Sequence, residues 1–297
     1  MMKRATVFVF ILFSLVATTS QAQKLKVFIS VDMEGITGLV HSDQVGRGGS
    51  DYQMARRWMT EEANAAIQGA LDAGATEVIV NDSHGDMRNL ILADLNPAAT
   101  LITGSPKPLS MMQGIDASYD AVVFIGYHPK EGTIDGVLDH TISGGTVASV
   151  KVNGTELPEL GLNALIAGYY NVPVVFIAGD KAVCDQAKEI LGDRVVTVAV
   201  KEGIGKRAAK SMPLKKAHET IRQQVKAAIE KRKEARVYRM NPPYRFELSY
   251  FRSSQAEMPA NVPGVKRVNA KTIQFESNDF LEGFKFLRAL IALGRDD

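Results

Sequence analysis

Asp32 and Glu34 stand two residues apart, where the apolar, β-branched run LKVFISV gives way to a turn at Gly35. In extended backbone, positions i and i+2 share one side, so both carboxylates are aimed into one small volume. Like charges at that range repel, and ionised carboxylates are costly to bury without a positive partner. A metal ion supplies one. The competing reading makes Asp32 a cap for the next turn and leaves Glu34 solvated. Two further apolar runs end in residues of the same kind: ATEVIV leads into Asn81-Asp82-Ser83-His84-Gly85, and DAVVFIG into Tyr127-His128-Pro129. One histidine after a strand is more often structural than catalytic. Three such endings on neighbouring strands would instead converge at the carboxyl edge of an open parallel sheet, where such sheets form their ligand crevice. Carboxylates with imidazoles suit zinc, and manganese less well. Glu159, which follows Pro158 at the start of ELGLNALIAGYY, is either a fourth contributing segment or a carboxylate favoured by a helix N-terminus.

The elements that must hold these residues follow from periodicity. Residues 52–73 read as an amphipathic helix, with Met54, Trp58, Ala65 and Ile67 near helical spacing and Gly74 as its stop. Glu61 and Glu62 on that helix face either a site or solvent. A short helical stretch at 87–94 and a strand near 100–103 follow. GVLDHTI reads as a strand and VASVKVNGTEL as a hairpin turning at Asn153-Gly154. After the Glu159 helix come the buried strand VPVVFIAGD, a helix over 181–191 and the strand VVTVAV. Strands alternating with helices predict an α/β fold of three layers, a mostly parallel sheet flanked by helices. The composition changes at about residue 201: Lys201 to Arg239 holds 13 Lys/Arg against 4 Asp/Glu, centred on a helix over 213–235. That charge is either a solvated face or a contact with the acidic part of another subunit. NPPYRFELSYF, VKRVNAKTIQFES and a helix over 278–294 predict a smaller α+β C-terminal domain. The expected division is 1–22 signal peptide, 23–203 metal-binding α/β domain and 204–297 smaller domain.

MMKR followed by ATVFVFILFSLVA and Ser20-Gln21-Ala22 has the form of a cleavable signal, too short in its apolar part for a span of roughly 20 residues. The expectation is an exported protein, periplasmic or secreted, without a stable membrane anchor after cleavage. Without Lys3 and Arg4 the 35 Lys/Arg fall to 33, equal to the 33 Asp/Glu, and a neutral chain argues against nucleic acid as a partner. Cys184 is the only cysteine, which excludes an intrachain disulfide and a Cys-based zinc site. No G-x-S-x-G marks a nucleophile elbow, and no glycine-rich phosphate fingerprint is present. His218-Glu219 begins like H-E-x-x-H but has Arg222 in place of the second histidine.

SVDMEGITG, MTEEANAAI, EVIVNDSH, FIGYH, GVLDHT and ELGLNALIAGYY with VPVVFIAGD resemble the DppA-type D-aminopeptidases, zinc metallopeptidases of bacteria. The resemblance runs in order from about residue 25 to the C-terminus and includes SSQAEMP and TIQF. It implies two zinc ions per subunit, held by Asp32, Glu34, His84, His128 and Glu159, with Asp32 bridging them. It implies that His140 in GVLDHT belongs to the active site without being a ligand. It also implies a two-domain subunit in a closed homo-oligomeric ring with enclosed sites, acting on short peptides with D-amino acids at the N-terminus. The segment from His128 to His140 is one residue longer than the family pattern, and the export signal is a second departure. Asp82 and the loop at Gly144-Gly145 are expected beside the site. The rival readings are a metal-dependent hydrolase of another amide or cell-wall fragment, and a non-enzymatic periplasmic peptide-binding protein. The latter needs no clustered metal ligands.

Overall fold

The computed structural model describes residues 2–3 and 24–295, so most of the expected signal sequence and its cleavage site lie outside the described residues. The strands are β1 (Lys26–Val31), β2 (Glu77–Asp82), β3 (Ala99–Ile102), β4 (Ala121–Tyr127), β5 (Val147–Val152), β6 (Thr155–Glu156), β7 (Val174–Asp180), β8 (Val196–Gly205), β9 (Ala208–Ser211), β10 (Tyr244–Tyr250), β11 (Lys266–Arg267) and β12 (Thr272–Ser277). The helices are α1 (Ser42–Val45), α2 (Tyr52–Asp72), α3 (Glu159–Tyr169), α4 (Lys181–Leu191), α5 (Leu214–Glu230), α6 (Glu257–Ala260) and α7 (Phe280–Leu293).

A seven-stranded sheet runs in the order β3-β2-β1-β4-β7-β8-β9, parallel except for the antiparallel β8–β9 pair. Its central strands are buried on both faces, which is why they read as continuous apolar runs. Alternation still sorts β1: Val27, Ile29 and Val31 enter the core shared with α2 and α5, while Phe28 enters the core shared with α3 and α4. On α2 the buried stripe is Ala55, Met59, Ala63, Ala66, Ile67 and Ala70, with Met54 exposed and Trp58 half-buried. The three-layer, mostly parallel arrangement is the one the sequence predicts. Among the described residues, no helix is long and apolar enough to cross a membrane.

A second sheet, β11-β12-β10-β5-β6, is antiparallel throughout and packs with α7 against the α3 side of the large one. Sheet membership crosses residue 203 in both directions. The β5–β6 hairpin, turning at Asn153-Gly154 with both φ positive, pairs with β10. Conversely β9 pairs with β8 in the large sheet, and α5 packs on that sheet through an apolar stripe of Ala217, Ile221, Val225, Ala228 and Ile229 that is also buried against α2.

Three local expectations are corrected. Residues 87–94 form no α-helix, only a 3-10 turn at Leu92–Asp94. The buried Asp82 carboxylate takes the backbone N–H groups of Asn89 and Leu90, and Met87 has φ +60°, so the backbone donors are served without a helix. GVLDHTI is a loop rather than a strand, with Leu138 and Ile142 in the left-handed region at φ +53° and +61°. The helix expected over 213–235 ends at Glu230, and a 3-10 turn occupies Arg232–Glu234.

The turn after β1 depends on glycine. The Gly35 N–H donates to the Gly126 carbonyl at 2.7 Å, and a Cβ at Gly35 would lie 1.9 Å from the Tyr127 carbonyl oxygen. Gly126 itself has φ +70° and approaches the Asp32 carbonyl as closely, a Cβ there lying 2.2 Å from it. Gly35→Ala is therefore expected to destabilise the protein by about 1–3 kcal/mol or more through overpacking. Denaturant unfolding checks this, and unchanged stability would contradict the close approach.

Candidate metal centre

The carboxyl ends of β2, β1 and β4 lie side by side at the point where the chain leaves β1 in one direction and returns on its other side, the position where open α/β sheets bind ligands. Asp32 follows β1 directly, its N–H donating to the Ile125 carbonyl at 2.8 Å. The strand has already ended at Val31, so Asp32 and Glu34 converge through the turn rather than through extended alternation. Below the turn, the buried Lys201 ammonium donates to the carbonyls of Glu34, Ile36 and Leu39, at 2.9 Å for Ile36. Asp32 and Glu34 are 3% and 5% exposed.

Three histidines surround the acids in one pattern. His84 has Nε2 at 2.8 Å from the Val45 carbonyl, and Nδ1 at 2.9 Å from Glu34 Oε2 and 3.4 Å from Asp32 Oδ1. His128 has Nδ1 at 3.0 Å from the Pro129 carbonyl, and Nε2 at 3.4 Å from both Asp32 Oδ2 and Glu159 Oε1. His140 has Nδ1 at 3.0 Å from the Leu138 carbonyl and Nε2 at 3.7 Å from Glu159 Oε1, its ring stacked on His128 at 4.0 Å. A carbonyl only accepts, so each ring donates its N–H there and turns its other nitrogen toward carboxylate oxygens. A lone pair facing carboxylates is repulsive unless a proton or a cation stands between them. His128 Nε2 is buried and makes no hydrogen bond at all. Pinning one imidazole nitrogen to a carbonyl to orient the other is how proteins prepare metal-binding histidines.

The carboxylates fit the same purpose. Asp32 turns one oxygen toward His84 and the other toward His128. Donor atoms of Asp32, Glu34 and His128 lie within 4.8 Å of one another, as do those of His128, His140 and Glu159. Glu159 opens α3 behind Pro158, which is the N-cap, and its Oε1 accepts the Ile142 N–H at 2.7 Å. That contact holds the β-branched Ile142 in its left-handed conformation, a strained arrangement of the kind that clusters at functional sites.

Electrostatics couples the group. Burial pushes the Asp32 carboxyl up, Glu34 adds to it, and it reaches about 7. Burial acts on Glu34 too, but His84 outweighs it and holds that carboxyl well below the usual range. Burial likewise opposes the charge on Glu159, yet His128 draws it down to about 2. Burial disfavours charge on the rings as well, but Glu34 and Asp32 raise His84 well above the ordinary imidazole value, and Glu159 and Asp32 raise His128 to about 10. His140 is lowered by burial and by His128. Without a metal, protons on His84 and His128 hold the acids together; a divalent cation bound there would serve the same acids and displace those protons.

A cleft of about 690 Å³ opens above the cluster, lined by Asp32, Glu34, His84, His140 and Glu159 and by Lys107 and Arg288. Asp82 does not line it and is spent on the backbone of residues 89–90. Gly144 lies under His140, and the Gly145 carbonyl accepts from Gln255 Nε2 at 2.9 Å, so the SSQAEMP segment secures that loop. Glu61 is exposed, while Glu62 is buried and accepts the Thr37 N–H at 2.8 Å. Cys184 is buried within α4, its thiol pushed up to about 12 by that burial. Sequence reasoning missed Lys201, Lys107 and Arg288. Lys107 donates to Asn81 Oδ1 and to the Asp82 carbonyl, burial drawing its ammonium down to about 8. The signal for Lys201 and Arg288 was a single cation closing or interrupting an apolar run, in VVTVAVK and FLRALIAL.

A family model of D-aminopeptidases (peptidase M55) matches residues 25–289. A D-aminopeptidase of Bacillus subtilis (strain 168) is 38% identical over 272 residues, covering 91% of this chain and 97% of that protein. The solved structure of the Zn-dependent D-aminopeptidase DppA from Bacillus subtilis, described as a self-compartmentalizing protease, superposes with a TM-score of 0.88 at 36% identity, over 91% of this chain and 98% of that one.

The sign of the pH dependence follows from the raised imidazoles. His84 and His128 are both raised above the ordinary imidazole value and would have to lose their protons to hold a metal, so zinc affinity at this site is expected to rise with pH and to be lost as pH falls. Calorimetric zinc titration at pH 7 in buffers of different ionisation heat is expected to give release of at least about one proton per chain. No proton release would contradict the arrangement.

Proposed function

The chain belongs to the D-aminopeptidase family, and on that premise we propose that it is a di-zinc aminopeptidase that removes the N-terminal residue of short peptides, D-configured residues preferred. The observation that carries this reading is the Asp32 carboxylate standing between two sets of donors, Glu34 with His84 on one side and His128 with Glu159 on the other. In this reading Asp32 bridges, and Glu34, His84, His128 and Glu159 complete the ligand set. Zinc bound there would acidify a water and polarise the scissile carbonyl.

His140 has the remaining part. Its Nδ1–H is fixed on the Leu138 carbonyl, and burial with His128 nearby favours the neutral ring, leaving Nε2 an acceptor at the wall of the cleft. From there it takes a proton as the carbonyl is attacked and returns it to the leaving amine. Its neighbourhood with His128 and Glu159 also suits a ligand, so the two roles make opposite predictions for zinc content. The self-compartmentalizing description of the Bacillus protein supports a homo-oligomeric ring for this chain, and MMKR with the apolar run after it supports export.

Purified mature protein is expected to carry close to two zinc ions per chain and to hydrolyse D-alanyl peptides faster than their L counterparts, with activity lost to a chelator. Asp32→Ala is expected to remove most of the metal, and full zinc occupancy in that variant would refute the bridging role. His140→Ala is expected to keep its zinc while kcat falls about 10²–10⁴-fold, as for loss of a general acid–base group. Zinc depletion in that variant would make His140 a ligand, and wild-type turnover would move proton transfer elsewhere.

A further inference from the structure

Arg288 is the one cation in the FLRALIAL stretch of α7, and it forms part of the wall of the cleft above the metal centre. It also borders a small adjoining cavity with Glu159, Ile142 and Asn163. The side chain is largely buried, and among the described residues it has no hydrogen-bond or ion-pair partner. Glu159 attracts it, but that carboxylate already accepts from Ile142 and faces His128 and His140. Arg295, just beyond the C-terminal end of α7, adds a second positive charge to this wall. A desolvated guanidinium without an anion is costly, and burial accordingly weakens its hold on its proton. Ala292, one turn from Arg288 on the same face, leaves the space before the guanidinium open.

A ligand reaching from the acid–imidazole cluster to this wall needs an anionic group at its far end. The planar fork of a guanidinium matches a carboxylate with two parallel N–H donors. We propose that Arg288 receives the C-terminal carboxylate of the peptide and so makes the site selective for short peptides with a free C-terminus over their amides. This rests on the aminopeptidase reading above, and it makes Arg288 a specificity residue.

The test compares D-alanyl-D-alanine with D-alanyl-D-alaninamide on the zinc-loaded wild type, Arg288→Met and Arg288→Lys. Wild type is expected to favour the free acid by about 10- to 100-fold in kcat/KM, mainly through KM, as for a charge-assisted hydrogen bond. Arg288→Met should bring the acid-to-amide ratio near one, and Arg288→Lys, which keeps the charge but loses the fork, should fall between. If the methionine variant does not fold, the lysine variant carries the comparison, and a ratio equal to wild type overturns the proposal. Equal KM for acid and amide in wild type also overturns it while leaving the aminopeptidase reading intact. If neither compound is hydrolysed, the aminopeptidase reading fails. Calorimetric titration of both compounds into the metal-free proteins then decides on Arg288: tighter binding of the acid by wild type alone supports it, and equal binding refutes it.

Discussion

Three carboxylates, Asp32, Glu34 and Glu159, are buried together in one small volume, and the surrounding structure answers that constraint. Ionised acids cannot share such a space without compensation. The compensation is not an arginine or lysine salt bridge. It is three imidazoles, each with one nitrogen held on a backbone carbonyl and the other turned toward the acids. Lys201, from beneath, satisfies the carbonyls of the turn and stays off the carboxylate oxygens. A pocket built of acids and oriented imidazole nitrogens is suited to a divalent cation.

The sheet delivers this arrangement cheaply. Parallel pairing of β1 with β2 and β4 brings Val31 opposite Asp82 and Ile125, so residues following the three strands meet without long-range bending. Close backbone contact at Gly35 and Gly126 then turns the chain directly after Asp32 and Glu34. Glu159 and His140 come from the other side of the cleft, where helix α3 and the strained loop at Ile142 are joined by the Ile142–Glu159 hydrogen bond. On that side α7 supplies Arg288 to the wall.

Much of this was legible in the chain itself. Asp32, Glu34, His84 and His128 announce themselves because apolar strands ending in metal-ligand residue types are uncommon, and Glu159 because proline and an acid open its helix. The mostly parallel sheet followed from the alternation of strands with amphipathic helices. What periodicity could not carry was the loop from His128 to Thr146, where Leu138 and Ile142 adopt positive φ without the glycine that would signal it. His140 accordingly entered through family resemblance alone. The misread helix at 87–94 has a similar origin, since Asp82 organises that segment from a distance in sequence. Lys201 and Arg288 escaped because a lone cation in an apolar element reads as a surface residue.

Anomalous X-ray diffraction at the zinc edge on crystals of the zinc-loaded protein tests the central claim most directly. The account predicts two peaks per chain, one on either side of the Asp32 carboxylate, the first beside Glu34 or His84 and the second beside His128 or Glu159. An empty cluster, or zinc bound elsewhere on the chain, would contradict it.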